Sequence, residues 1–515
     1  MSLDQPSAFA SRFNRRDLLR TGLATGLATV LPSALTGTAN ASPTPEPNPA
    51  PVPSPIPSPA PQYTQANWNM ALGRPAAADR RFVSPVIDAV IERVQKQIAN
   101  PVVAKMFAQC FPNTLDTTVF PGTEGGKPDT FVITGDIDAM WLRDSSAQVH
   151  PYLRYARQDA RLAQLLQGVV RHQTRCILID PYANSFNRTT SQPPLSWAVH
   201  DRTTMKPGVA ERKWEIDSLC YTVRLAYGYW QATGDKSPFD AEWREAAQAI
   251  VSTFSTQQRL NGQGPYSFGR LTFDPYDTVA LDGYGNMAKP NGMIFSMFRP
   301  SDDACTYPLF VPANLFAVQA LKMLAELAQK AAGDAALANR CVQLGKQVLS
   351  ATEQCGKVNH GDYGQIWAYE VDGYGNANLM DDANVPSLLG MPYLGYCSTG
   401  DALYQRTRRF VLSESNPYFF IGSAAEGVGS PHTGRNAIWP MGILVRALTS
   451  TKDDEILYCL RMLRDTTAGT DYMHESFNDD NPANFTRPWF AWANTLFGEL
   501  IVTLSEQRPQ LLQQI

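Results

Sequence analysis

Gly135-Asp136-Ile137-Asp138-Ala139-Met140-Trp141-Leu142-Arg143-Asp144-Ser145-Ser146 joins a strand-like run, Thr130 to Thr134, to a run with helical spacing. Three carboxylates, one guanidinium and one indole fall within nine residues of it. An aromatic ring beside ionised groups is what a sugar site needs. The ring face covers C–H surface, and charged side chains hold hydroxyls through charge-assisted hydrogen bonds. A plain helix start explains the same residues, with Asp144 and Ser145 as caps, Arg143 as a surface partner and Trp141 in the core.

On either side of this stretch the chain is rich in helical periodicity. Apolar spacing predicts helices over Val86–Ile98, Val102–Cys110, Asp144–Ala156, Arg161–Leu178, Glu215–Thr233, Asp240–Gln257, Pro312–Ala332, Ala335–Glu353, Val385–Met391, Asp401–Leu412, Ile438–Thr449, Asp453–Ala468 and Phe485–Ser505. Many come in consecutive pairs, and strand signals are few and short. Long loops rich in glycine and aromatics separate the pairs, at 181–214, 259–311, 358–384, 413–437 and 469–484. Loops of that length in a compact domain are usually functional. The expected fold class is all-α: a toroid of paired helices, an (α/α)6 barrel, with long active-site loops at one end. An α-solenoid would require a repeat of constant period. Only Asp282-Gly283-Tyr284-Gly285-Asn286 and Asp372-Gly373-Tyr374-Gly375-Asn376 recur, and both read first as turns.

The N-terminal part is a processing signal. Arg15 and Arg16 precede an apolar run from Thr21 to Leu35, and Ala39-Asn40-Ala41 supplies small residues for cleavage. Adjacent arginines in that setting point to the twin-arginine export route, so residues 1–41 are read as the signal peptide and the protein as periplasmic or extracellular. From 42 to 62 proline alternates with small residues, the pattern of a semi-rigid polyproline II linker. The catalytic domain is then 63–515. No later segment has 18 consecutive apolar residues, so no membrane span is expected in the mature chain. Net charge is -4 with no basic run, which argues against nucleic acid as a partner. Eight scattered cysteines form no C-x-x-C pair, and six histidines form no H-E-x-x-H, so neither zinc nor another cofactor is implied. One or two disulfides remain open, as does the oligomeric state.

Other acid-bearing stretches complete the candidate site. Phe298-Arg299-Pro300-Ser301-Asp302-Asp303-Ala304-Cys305 sets two carboxylates side by side before a helix. In such a doublet burial, or the charge of one member, keeps the other protonated and makes it a proton donor; helix caps are the alternative. In Tyr472-Met473-His474-Glu475-Ser476-Phe477, Glu475 lies near Phe485, Trp489, Phe490 and Trp492, a setting in which a carboxylate activates water. Lys213-Trp214-Glu215-Ile216-Asp217-Ser218 again places tryptophan beside acids. Ser430-Pro431-His432-Thr433 is a polar turn whose histidine suits a hydroxyl.

Taken in order, G-D-I-D-A-M-W-L-R-D-S, K-W-E-I-D-S-L, R-P-S-D-D-A-C-T-Y, G-S-P-H-T and M-H-E-S-F make the chain resemble glycoside hydrolase family 125, the metal-independent exo-α-1,6-mannosidases, from about Phe82 to the C-terminus. The resemblance implies an (α/α)6 barrel and an inverting enzyme that removes non-reducing terminal α-1,6-linked mannose from glycans. It implies a general acid in the Asp302-Asp303 doublet, with a preference for Asp302, and Glu475 as general base. Arg143 and Asp144 resemble the W-x-R-D pair that grips the terminal sugar in related enzymes. Asp136, Asp138, Trp141 and His432 are expected in the same pocket, with Asp217 and Arg299 from the neighbouring motifs. An inverting pair stands roughly 6.5–9.5 Å apart so that a water fits behind the ring. Two rival readings stay open. One is another (α/α)6 glycosidase, glucoamylase-like or calcium-dependent, the latter leaning on Asp381-Asp382 and Asp479-Asp480. The other is a non-catalytic glycan-binding surface protein on a proline stalk.

Overall fold

The computed structural model describes residues 73–515. The signal-peptide and linker expectations lie outside those residues. Fourteen α-helices are present among the described residues. They run as α1 (Pro85–Gln95) and α2 (Pro101–Cys110), α3 (Leu142–Val149) and α4 (Ala160–Ile179), α5 (Ile216–Thr233) and α6 (Ala241–Gln257), and a single turn α7 (Ala280–Gly283). Then come α8 (Val311–Lys330) and α9 (Ala335–Cys355), α10 (Ala402–Val411), α11 (Pro440–Leu448) and α12 (Asp453–Asp465), α13 (Ala491–Gln507) and α14 (Pro509–Leu512). Helices α11, α13, α3, α5 and α8 pack in succession as an inner ring, and α12, α2, α4, α6 and α9 pack outside it. This is the (α/α)6 barrel. None of the described helices is long and apolar enough to cross a membrane.

The two rings start differently. Four of the five outer helices carry side-chain N-caps, Asn100 on α2, Asp159 on α4, Asp240 on α6 and Asp334 on α9, and α12 does not. Such caps satisfy the first free amides and stabilise a helix end by about 1 kcal/mol. The inner helices α3, α5, α8, α11 and α13 have none. Asp144 and Ser145 therefore do not cap α3, and Ser301, Asp302 and Asp303 do not cap α8, whose N-cap is Phe310. Four of the inner helices are entered from short antiparallel strands or bridges, and their side chains are left for the cavity. The positive ends of the inner helices thus surround one place, which favours acidic groups there.

Three predicted helices differ; Phe485–Ser505 becomes helical only at Ala491, because its first residues form the strand Phe485–Thr486 and the bridge at Phe490. Val385–Met391 is a run of bends and turns. Asp381 accepts the amides of Leu388 and Leu389 (2.8 and 2.9 Å), and Pro386 has no amide to donate, so the helical ladder has lost its donors. Tyr221 of α5 holds this buried segment through the Val385 carbonyl at 2.9 Å. Asp144–Ala156 is helical only to Val149 and continues as a 3-10 turn, His150–Tyr155, because Pro151 interrupts it. The long loops fold into two- and three-stranded sheets. Gly135 shows why one of them needs glycine: at φ +124° it pairs with Phe490, and a Cβ would lie 2.3 Å from the Trp489 carbonyl. In the second Asp-Gly-Tyr-Gly-Asn motif, Asp372 accepts the amides of Tyr374 and Asn376, as a turn should. All eight cysteines are free.

Candidate active site

A cavity of about 360 Å³ opens at the end of the barrel where the inner helices begin. Trp141, Arg143 and Asp144 enter it from the start of α3, Asp302 and Asp303 from their loop, His432 from its turn, and Glu475 from the position just before the strand Ser476–Asn478. Every acid in the expected catalytic set thus faces one hollow.

Glu475 is buried beside the three-stranded sheet of Ala437–Ile438, Ser476–Asn478 and Phe485–Thr486. Its Oε2 accepts from Thr486 Oγ1 at 3.0 Å, and Arg487 Nη1 lies 3.4 Å from Oε1. Arg487 adopts φ +38° and is gripped by Asp136 through Nε (2.9 Å) and Nη2 (2.6 Å). A left-handed, non-glycine residue is held only where the surroundings over-determine it. Asp136 therefore sits behind the cavity wall and orients Arg487, which lines it.

Asp302 is also left-handed, at φ +65°. Lys213 Nζ donates to its carbonyl (2.7 Å), and its own amide donates to Arg299 O (2.9 Å). Its Oδ1 accepts from Arg143 Nη2 and Asn184 Nδ2, both at 3.2 Å. Arg143 is 4% exposed and reaches further, to Glu215 (2.5 Å), Asp217 (3.5 Å) and Asp144 (3.4 Å). One guanidinium faces four carboxyl groups. Burial pushes Asp144 and Asp217 up to about 6, with Arg143 pulling the other way. Asp302 goes the other way: burial opposes ionisation, but Arg143, the neighbouring Glu215 carboxyl group, Lys213 and His432 hold it well below the usual carboxylate range. Asp303 is engaged separately. Its Oδ1 lies 2.8 Å from His432 Nδ1, while Oδ2 is buried with no protein donor. Against the cost of burial, Asp303, Glu475 and Asp302 raise the His432 imidazole to about 10.

Three other expected residues stand outside the lining. Asp217 is fully buried in the first turn of α5 and touches Arg143 from beneath. Arg299 is enclosed, with Nε on Glu370 at 2.7 Å, so it fastens the acid loop to the strand Glu370–Val371 and meets no cavity. Asp138 pairs with Arg188 at 2.8 Å and is one-third exposed. Several lining residues escaped the sequence reading: Glu211, Lys213, Arg270, Asp274, Asp277, Asn384, Trp439 and Arg487. Arg270 binds Asp201, Glu211 and Asp277, and Trp197 Nε1 donates to Glu211 (3.1 Å). These come from the two longest loops, 181–214 and 259–311, whose length was their only signal. Asp381 and Asp382 serve the backbone: Asp381 takes two amides, and Asp382 takes Asn384 and Ser430.

Paired acids, a bound guanidinium and indole walls suit a glycosidase. A family model for the metal-independent α-mannosidases, glycoside hydrolase family 125, matches residues 100–502. The chain belongs to that family. This α-mannosidase is 41% identical over 462 residues to the meiotically up-regulated gene 157 protein of Schizosaccharomyces pombe, covering 86% of the present chain and 90% of the relative. A metal-independent α-mannosidase of Streptococcus pneumoniae, solved as a non-productive complex with α-1,6-mannobiose, superposes with a TM-score of 0.79 at 40% identity. That match covers 83% of the present chain and all of the other. Membership of a metal-independent α-mannosidase family runs against both rival readings: another (α/α)6 glycosidase, glucoamylase-like or calcium-dependent, and a non-catalytic glycan-binding protein.

Proposed function

We propose that this α-mannosidase is exo-acting and inverting, and releases terminal α-1,6-linked mannose. The observation that carries the reading is the shared cavity, which both Asp302 and Glu475 line. Asp302 is the general acid, because its side chain is 22% exposed to the hollow and shares Arg143 with a second carboxyl group, Glu215. Asp303 is tied to His432 and keeps Oδ2 for a sugar hydroxyl. Glu475, held by Thr486 and Arg487, removes the proton from a water behind the ring. As the C–O bond breaks, Asp302 protonates the leaving oxygen and the water oxygen bonds to the anomeric carbon, giving the β-anomer first. Arg143, Asp144 and Trp141 hold the terminal sugar. That the related enzyme binds α-1,6-mannobiose supports the linkage.

The test is incubation with α-1,6-, α-1,2- and α-1,4-linked mannobioses and with the corresponding glucosides, followed by proton NMR. Rapid release of β-mannose from the α-1,6 isomer alone is expected; α-mannose as first product overturns inversion. Activity is expected to be unchanged after dialysis against EDTA, since the acids here have hydrogen-bonded tasks of their own. A lost rate restored by calcium sinks that expectation.

We also propose export by the twin-arginine route, on the strength of Arg15-Arg16, the apolar run and Ala39-Asn40-Ala41. Replacing both arginines (Arg15→Lys with Arg16→Lys) is expected to keep the activity inside the cell, as fractionation would show.

A further inference from the structure

Glu215 is the residue immediately before α5, with a side chain 0% exposed, and it caps nothing. Its Oε2 accepts from Arg143 Nη1 at 2.5 Å and from Ser218 Oγ at 2.9 Å. No donor from another residue reaches Oε1. Arg143 sets this carboxyl group beside that of Asp302, with Nη1 on Glu215 and Nη2 on Asp302 (3.2 Å). Two carboxyl groups hydrogen-bond only when one of them carries a proton, since an ionised carboxylate has nothing to donate. A fully buried carboxylate oxygen with no donor is costly, and a proton on Glu215 removes that cost.

The surroundings agree. Arg143 bridges the pair, Nη1 on Glu215 and Nη2 on Asp302, and also faces Asp144 and Asp217. Lys213 is shared between Asp277 and the Asp302 carbonyl. His432 and Asp303 face Asp302 from across the cavity, and Tyr266 faces Glu215. Arg143 is the one cation within salt-bridge distance of these four carboxyl groups among the described residues, so their full ionisation in a buried site is costly.

We infer that Glu215 holds the proton that Asp302 delivers to the leaving oxygen, as a positioning residue behind the acid. This rests on Asp302 being the general acid. The transfer balances. The Glu215 proton passes to an Asp302 oxygen as Asp302 protonates the glycosidic oxygen, and both end as carboxylates. Glu475 gains the proton of the attacking water, and solvent exchange returns one proton to the pair after release. The pull on the two groups has the right sense: burial pushes Glu215 well above the ordinary range, with Arg143 opposing and Asp302 and Asp217 adding. Asp302, the member that faces the cavity, is drawn down, so the proton rests on Glu215 and moves to Asp302 only as the leaving oxygen takes it.

Glu215→Gln tests this, because the amide preserves the shape, the acceptor for Arg143 and a donor for Asp302, yet holds no transferable proton. Wild type, Glu215→Gln and Asp302→Asn are compared on α-1,6-mannobiose, whose leaving group needs a proton, and on α-mannosyl fluoride, whose leaving group needs little help. Both variants are expected to lose about 100-fold in kcat/KM on mannobiose and under about tenfold on the fluoride. The alkaline limb of kcat/KM for Glu215→Gln on mannobiose is expected to fall by about one pH unit or more, since Asp302 alone beside Arg143 surrenders its proton earlier. Equal losses on the two substrates, or an unmoved limb, overturn the inference. If Asp302→Asn is not rescued by the fluoride, the acid assignment itself fails. If it is rescued and Glu215→Gln is not, only the role of Glu215 fails. Should Glu215→Gln fail to fold, Glu215→Asp carries the same comparison, with unequal losses in support and equal losses against.

Discussion

Glu475→Ala is expected to lower kcat on α-1,6-mannobiose by about a thousandfold while leaving the melting temperature within a few degrees. The size follows from its task. No other carboxylate in the described cavity is held by Thr486 and Arg487, so none can take over removal of the water's proton. The small structural cost follows from its contacts. Arg487 keeps Asp136 when Glu475 is gone, with 2.6 Å from Nη2, so the wall retains its charge pairing. Single-turnover release of mannose measures the loss. A variant at more than a tenth of wild-type rate would remove Glu475 from the mechanism.

Arg143→Met should abolish turnover and also destabilise the fold, by about 3–5 kcal/mol, the cost of breaking a buried ion pair from one side. The guanidinium is the nearest cation to Asp144, Glu215, Asp217 and Asp302 together. Without it, these groups must take up protons to stay buried. The sign follows. Asp144 and Asp217 already stand at about 6 in the folded protein, above the ordinary aspartate value of about 3.9, so folded chains bind protons that unfolded chains have lost. Their contribution to stability is present at low pH and falls as pH rises through about 4 to 6. Removing Arg143 raises both further and carries that decline to higher pH. Melting temperatures between pH 5 and 8 are expected to drop more steeply for the variant than for the wild type. Parallel curves would show that Arg143 does not govern these acids.

The helical pairs were readable because each buries one face, and a 3.6-residue period survives in the order of the residues. Val385–Met391 had that period and no helix, since the Asp381 carboxylate took the amides. Glu475, Asp302 and Arg143 were readable as chemistry because acids and arginine beside aromatic residues are unusual company. Their division of labour was not. Asp136 turned out to hold Arg487, and Arg299 to hold Glu370, although both lie in the motifs that announce the site. Glu215 lay in plain view in Lys213-Trp214-Glu215 and still had no legible role, because its partner Asp302 is far along the chain.

Order along the chain alone thus determined the paired-helix architecture, the long loops at the helix ends and the acid-bearing motifs. These depend on spacing within a few residues, and neighbours in the chain record it. Only the tertiary structure decided which carboxyl groups share Arg143, which residues face the hollow and which stand behind it. Those outcomes depend on distance and burial between segments that the chain order separates, and electrostatic coupling follows distance in space.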